Sequence, residues 1–217
     1  MSLYPTCAEC TGKFCRGGDL SKVPRNCPSQ GQDVQVVLGR YTESELLESK
    51  IAAEIECEGY CRWTRVEETM EYAQRCGYRR LGLAFCVGLS REAAVFSKIL
   101  RSNGFEVISA CCKNGSVSKE ELGIPPDKMV YHGECFEGMC NPAGQAEILD
   151  KHECQLNILL GLCVGHDTLF ISHSKAPVTV LAAKDRVTGH NPIAPLNMSD
   201  SYVKRLYSHF KSEQLPD

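Results

Sequence analysis

The spacing of apolar residues in the first third of the chain predicts two amphipathic helices. Leu47, Ile51 and Ile55 recur at intervals of four residues and follow a capping box that begins at Thr42. A second capping box begins at Thr64 and precedes another apolar stripe. We therefore expect two consecutive helices, each with one apolar face.

From Arg79 onward, short apolar runs alternate with helical patterns. The four runs that read as strands lie at positions 81–86, 105–111, 156–163 and 178–183. Helices are expected after Ser90, after the Asn141-Pro142 pair and from His166, because these residues suit helix starts. Strands that alternate with helices predict an α/β fold, in which a parallel sheet with crossover helices gives a Rossmann-like architecture.

These patterns divide the chain into three predicted parts. Residues 1–32 contain three prolines and no hydrophobic periodicity, so they cannot form a hydrophobic core of their own. Residues 33–77 form the helical section, which we expect to pack on the core. Residues 78–217 form the α/β domain, in which cysteines stand at the strand ends.

Composition narrows the class of protein. The 24 lysines and arginines against 27 acidic residues give a net charge of −3, which argues against a nucleic-acid partner. No apolar run approaches the roughly 18 residues of a membrane span, so we expect no membrane partner. The first residues lack the layout of a signal peptide, and a cytoplasmic location is therefore expected. In a reducing cytosol, the 14 cysteines are expected to act as metal ligands or reactive thiols.

Four cysteines in the first 32 residues have the spacing of a metal site. They are Cys7, Cys10, Cys15 and Cys27. A Cys-x2-Cys knuckle places two sulfurs on one ion, and two further thiolates complete the coordination. We predict that this site holds zinc or a [4Fe-4S] cluster; zinc commonly uses two knuckles, whereas a proline after the last cysteine is typical of ferredoxins. The alternatives are unrelated small residues or, in a secreted protein, disulfides.

A second group of cysteines follows the predicted strands. Cys86, Cys163 and either Cys111 or Cys112 lie at carboxyl ends, which share one edge of a parallel sheet. Cys140 precedes a helix start, where the helix dipole stabilises a thiolate. The predicted cofactor-binding set, for a second iron–sulfur cluster or for reactive thiols, is Cys86, Cys112, Cys140, Cys163, His166, Lys184 and Arg186. The pleat of the strand decides whether Cys111 or Cys112 faces this site. The alternative for the whole set is that these residues only pack in the core.

The segment after the last strand places two cations at the same edge. Lys184 and Arg186 flank Asp185, and His190 follows four residues later. These residues can bind a small anionic ligand or the outer surface of a cluster. The alternative is a solvated loop with an internal pair of Asp185 and Arg186. Neither a Gly-x-Gly-x-x-Gly motif nor a Walker loop is present, so these motifs give no support for nucleotide binding.

The remaining cysteines give weaker signals. Cys57 and Cys61 flank a glycine that breaks the first helix, and their spacing fits either a pair of ligands or core contacts. Cys76 precedes a helix-terminating glycine and is expected to pack. Cys154 lies in a stretch that reads as a surface turn, so it is an unlikely choice of ligand.

Several segments together resemble a domain-of-unknown-function family of Cys-rich proteins from bacteria and archaea, many of them anaerobes, that are labelled metal-binding. The segments are 82–89, 139–147, 161–167, 184–186 and 190–192, together with the four cysteines of the opening segment. The Gly-Leu-Cys-Val-Gly-His-Asp stretch at 161–167 is the most specific of them. The resemblance implies metal binding and an unassigned activity, and it implies no catalytic residues.

The residues and the resemblance lead to one functional prediction with one alternative. We expect a metal-binding protein, with zinc or an iron–sulfur cluster, that carries a Cys-lined cleft at the carboxyl edge of the sheet. The alternative is an iron–sulfur or thiol-dependent redox or transferase enzyme that acts on a small anionic molecule. Thiols aligned at the ligand-binding edge of the sheet favour the enzyme, whereas the lack of a recognisable acid–base pair favours binding without turnover.

Overall fold

The computed structural model describes residues 4–209, and the chain divides into two compact units, Met1–Glu58 and Gly59–Asp217. The first unit begins with three short 3₁₀ helices, at Cys7–Glu9, Phe14–Gly17 and Leu20–Lys22. Helix α1 (Val34–Leu38) and helix α2 (Glu43–Gly59) follow. No residue between positions 4 and 50 is buried, so the opening segment has no hydrophobic core, as its sequence predicts.

Helix α2 begins at the predicted capping box. The amide of Thr42 donates to the carboxylate of Glu45 at 2.7 Å, and the amide of Glu45 donates to the hydroxyl of Thr42 at 3.3 Å. Ile51 and Ile55 are buried, as the four-residue spacing predicts. Leu47 is 57% exposed, so its place in the buried stripe was predicted wrongly.

The second unit contains a four-stranded parallel sheet. The strands are β1 (Arg80–Phe85), β2 (Glu106–Cys111), β3 (Leu156–Leu160) and β4 (Val178–Ala182). Their order across the sheet is β2-β1-β3-β4, and every neighbouring pair is parallel. The strands β1 and β3 are therefore central, which explains their nearly continuous apolar sequences. The predicted α/β, Rossmann-like fold is confirmed.

Helices cover both faces of this sheet. The described helices of the second unit are α3 (Arg65–Arg75), α4 (Ser90–Ser102), α5 (Pro142–Lys151), α6 (His166–His173) and α7 (Ala194–Asn197), and the first four pack on the sheet. Leu83 packs in one buried cluster with residues of α3 and α4, whereas its neighbour Ala84 packs in a second cluster with residues of α5 and α6. Adjacent residues of a strand face opposite sides, so the two clusters are the two faces of the sheet. Within residues 4–209, no helix combines the length and the apolar character needed to cross a membrane.

The structure corrects the predicted end of β3 and the predicted start of α4. Strand β3 ends at Leu160 rather than at 163, because its register with β4 shifts after Leu159 and Gly161 turns the chain at φ +67°. A side chain at Gly161 would meet Leu89, since an added Cβ would lie 2.0 Å from that residue. Helix α4 starts at Ser90 itself, whose hydroxyl donates to the carbonyl of Val87 instead of capping the helix.

The polar segment between β2 and α5, which we call the excursion, is held together by a buried carboxylate. Glu137 is 8% exposed, accepts from Lys119 Nζ at 2.6 Å and accepts from the amide of Tyr131. The Lys119 ammonium, the Tyr131 amide and a weaker Val130 amide contact keep the pKa of Glu137 below its usual value. The excursion returns to the sheet at Cys140, next to the end of β2.

Candidate cysteine centre

The register of β1 and β2 places Cys86 beside Cys112. Phe85 pairs with Cys111 as the last residues of the two strands, and the amide of Cys112 donates to the carbonyl of Phe85 at 2.9 Å. The side chain of Cys112 packs in one cluster with those of Cys86 and Cys140, and its thiol lowers the pKa of both. Cys112, rather than Cys111, therefore contacts the other sulfurs at the carboxyl edge of the sheet.

Cys140 reaches this edge because the start of α5 is anchored to the end of β2. The amide of Asn141 donates to the carbonyl of Cys112 at 2.8 Å, and the Asn141 side chain accepts from the amide of Gly144 at 2.9 Å. Pro142 occupies the first turn of the helix, as the sequence predicts. The Asn-Pro pair thus begins the helix and also fixes Cys140 next to Cys112.

Cys163 lies in the turn between β3 and α6. Arg186 Nη2 donates to Cys163 Sγ at 3.3 Å, from a turn that closes on Asp185. The Asp185 carboxylate accepts hydrogen bonds from the amides of Val187 and Thr188. Among residues 4–209, it forms no ion pair with Arg186. The predicted internal pair of Asp185 and Arg186 is therefore absent from the described structure, and the guanidinium contacts a sulfur instead.

We call Cys86, Cys112, Cys140 and Cys163 the cysteine centre. Three of its sulfurs each lie beside a lysine or an arginine: Lys184 for Cys86, Lys113 for Cys140 at 3.4 Å, and Arg186 for Cys163 at 3.3 Å. The fourth sulfur, of Cys112, accepts from the amide of Val87 at 3.3 Å. In the described part of the chain, no carboxylate forms an ion pair with any of these three cations.

These contacts change the acidity of the thiols. A hydrogen bond from Cys112 lowers the pKa of Cys86 to about 5, with help from the Gly88 amide and Lys184. A hydrogen bond from Cys112 also lowers the pKa of Cys140 to about 5, with help from Lys113 and His166. The pKa of Cys112 itself is raised, because its proton is shared with Cys140 and Cys86 and its sulfur is buried. The single S–H group of Cys112 can donate to only one of the two neighbouring sulfurs at a time. The cations stabilise the thiolate that does not receive this hydrogen bond.

The acidity of Cys140 gives a testable pH profile in the reduced, metal-free protein. A pKa of about 5 means that the thiolate already predominates at pH 6, so alkylation of Cys140 by iodoacetamide should hardly change between pH 6 and pH 8. The rate for a free thiol of pKa about 8.5 should rise nearly a hundredfold over this range. Site-resolved mass spectrometry, with N-acetylcysteine as reference, measures both rates.

The Lys113→Gln variant should raise the pKa of Cys140 and make its profile rise more than that of the wild type, because it removes a cation that stabilises the thiolate. The rise should stay below that of the free thiol, because the hydrogen bond from Cys112 remains. The exposed Lys98 of α4 provides the matched control, and Lys98→Gln should leave the profile flat. A profile for wild-type Cys140 that rises like that of the free thiol would show that the thiolate is not stabilised.

Gln145 and Lys113 belong to this site but were not singled out from the sequence. Gln145 is fully buried in the first turns of α5, and its Nε2 donates to the carbonyls of Phe85 (3.2 Å) and Ala110 (2.7 Å). It therefore ties together the ends of the two strands that carry Cys86 and Cys112. A glutamine among the apolar positions of a helix is the sequence signal that points to such a role.

The Gln145→Leu variant should lose about 1–3 kcal/mol of unfolding free energy, because it removes a buried donor from two carbonyl groups. Urea unfolding followed by circular dichroism measures the change. Glu147→Gln, at an exposed position of the same helix, should change the stability by no more than about 0.5 kcal/mol. Equal stability of the two variants would mean that Gln145 does not anchor the strand ends.

The four cysteines of the opening segment surround one cavity of about 460 Å³. Cys7, Cys10, Cys15 and Cys27 all line it, and so does the ring of Phe14. The structure thus brings together the set that the sequence predicts. As the side chains stand, however, no three His, Cys, Asp or Glu residues within positions 4–209 converge closely enough to hold a metal ion, either here or at the cysteine centre.

The other cysteines lie outside both groups. Cys57, Cys61 and Cys135 are exposed, and Cys76 is half-buried. Cys154 is 7% exposed, so its prediction as part of a surface turn is wrong: its side chain packs in the same buried cluster as Leu149 and Leu159. Burial raises the pKa of Cys154 to about 11 and makes this thiol unreactive.

The fold and the site define an α/β protein with a cation-lined cysteine centre at the carboxyl edge of its sheet. The chain belongs to the family described as "Protein of unknown function (DUF1847)", which matches residues 27–181. It is also similar to the uncharacterized protein MJ0455 of Methanocaldococcus jannaschii, with 40% identity over 202 residues that cover 92% of this chain and 97% of the relative. The resemblance to a family of unknown function is confirmed, and neither description assigns an activity.

Proposed function

We propose that this protein binds zinc or an iron–sulfur cluster through the thiolates of the cysteine centre. One observation carries the proposal: the side chains of Cys86, Cys112 and Cys140 pack in one cluster at the edge where α/β proteins bind ligands. Cys163 follows β3 at the same edge and supplies a fourth thiol. Four thiols are a donor set that both zinc and iron favour.

The surroundings of the sulfurs support this donor set. Amide-to-sulfur and cation-to-sulfur hydrogen bonds stabilise thiolates, and they tune metal–sulfur sites from outside the ligand shell. The four cysteines stand after strands or before a helix. Metal binding requires their side chains to rotate toward a common point. Once bound, the metal supplies structural cohesion, Lewis acidity or, in a cluster, electron transfer.

The opening segment supports a second site of the same chemistry, with zinc or a [4Fe-4S] cluster bound by Cys7, Cys10, Cys15 and Cys27. These cysteines line one cavity, and no residue in positions 4–50 is buried. A segment without a core needs another source of folding free energy, and metal ligation is the usual source in small cysteine-rich units.

A second candidate function is thiol-dependent redox or transfer chemistry on a small anionic molecule. The observation that favours it is the row of sulfurs in which a protonated Cys112 lies between two thiols of lowered pKa. Such a row provides a nucleophile with a proton donor beside it. Metal binding also accounts for the position of the fourth thiol, Cys163. Metal binding is therefore our first proposal.

Zinc titration of the reduced, metal-free protein tests the proposal. We expect Cys86→Ser and Cys140→Ser each to lose one equivalent of tightly bound zinc relative to the wild type. The exposed Cys135 lies in the excursion just before Cys140, and Cys135→Ser should bind as much zinc as the wild type. A parallel loading with iron and sulfide tests the cluster. Unchanged zinc and iron content in both variants would rule out the cysteine centre as a metal site.

A further inference from the structure

Three cations lie beside the cysteine centre, and the inference drawn from them rests on the proposed function. They are Lys113, Lys184 and Arg186. In the described part of the chain, none of them forms an ion pair with a carboxylate. Cations without a carboxylate partner at the ligand-binding edge of an α/β sheet are available to an anionic ligand.

Arg186 is the most exposed of these three cations. Its side chain is exposed, and its hydrogen bond to Cys163 Sγ occupies one of five N–H groups. The adjacent carboxylate of Asp185 is held by the amides of Val187 and Thr188, so it faces its own turn. The guanidinium thus keeps a free donor edge beside the cysteine centre.

Lys184 extends the same positive surface. Its ammonium group lies near two glycines, since a Cβ added at Gly88 or at Gly161 would be 3.5 Å or 3.9 Å from Nζ. Lys184 is half-buried and helps to lower the pKa of Cys86, so its charge is held between two turns at the sheet edge. Partial burial weakens the screening of this charge by water and salt.

We infer that Arg186 and Lys184 bind a small oxyanion, a carboxylate or a phosphate, next to Cys163. An arginine with a free edge binds either group through two parallel hydrogen bonds, and a lysine adds a point charge. The bound anion lies beside the cysteine centre. This places a small anionic molecule where the cysteine centre can act on it.

Calorimetry on the metal-loaded full-length protein tests this site, with inorganic phosphate and acetate as separate probes. We expect saturable binding of at least one probe at one site per chain, and the two titrations distinguish a phosphate from a carboxylate preference. Arg186→Gln and Lys184→Gln should each weaken binding at least tenfold. Arg91→Gln, at an exposed position of α4, should leave it unchanged.

Metal content, measured on the same samples, separates the two proposals. Wild-type protein that holds its metal but binds neither probe overturns the anion site alone, as does equal affinity in Arg186→Gln and the wild type. Wild-type protein that takes up no metal at the cysteine centre but still binds a probe overturns the proposed function alone. Metal retention in Arg186→Gln together with weaker anion binding supports both.

Discussion

Replacing Cys10 by serine should unfold the opening segment and leave the sheet of the second unit intact. Residues 4–50 include no buried side chain, so almost nothing but metal ligation can order the segment that the four cysteines define. Structural zinc contributes about 10–16 kcal/mol to the folding of comparable small units, far more than a few exposed turns provide. The sheet has its own buried core and does not depend on that ligation.

Limited proteolysis with mass spectrometry measures this effect on the metal-loaded protein. The Cys10→Ser variant should be cleaved within the first 32 residues under conditions in which the wild type resists, and a chelator should make the wild type behave in the same way. Cys57→Ser is the matched control, because Cys57 is an exposed cysteine of the same unit. Equal protease resistance of Cys10→Ser and the wild type would contradict a metal-stabilised opening segment.

Phe170→Ala should cause the largest loss of stability of any single change in the second unit that we consider. Phe170 is fully buried and packs in the cluster that also contains Cys86 and Cys112. Truncating a buried phenylalanine costs about 3–5 kcal/mol, because apolar contacts are lost and a cavity remains. Since this cavity would open next to the cysteine centre, metal uptake should also weaken.

The neighbouring residue provides the control for this change. Leu169 is 48% exposed on the same helix, so Leu169→Ala should cost less than about 1 kcal/mol. Urea unfolding of both variants, monitored by far-ultraviolet circular dichroism, gives the two free energies. If both variants lost the same stability, the side of α6 that carries Phe170 would not be the packed side.

The sequence was sufficient for the parts of the fold that depend on local signals. The capping boxes at Thr42 and Thr64 begin helices, and the Asn141-Pro142 pair begins α5, because these caps act within one turn of chain. The apolar runs predicted all four strands, since buried parallel strands must be apolar on both faces. The shared edge of a parallel sheet then brought Cys86 and Cys112 together.

Features that depend on tertiary contacts could not be predicted in this way. The early end of β3 follows from a register shift against β4, so Cys163 stands in a turn and not on a strand. The burial of Cys154 depends on the packing of α5 against the sheet, which its polar sequence neighbours conceal. Gln145 joins two strand ends through tertiary contacts, so the sequence marks it only as a polar residue among apolar helix positions and does not name its partners.

The metal content of a double variant, Cys7→Ser with Cys10→Ser, tests the central claim most directly, because it removes the opening segment from the measurement. The protein should be purified without oxygen and analysed for zinc, iron and sulfide. We expect it to retain zinc, or iron with sulfide, and we expect that content to disappear when Cys86→Ser is added. A double variant that contains no zinc and no iron, and takes up neither on reconstitution, would contradict metal binding at the cysteine centre.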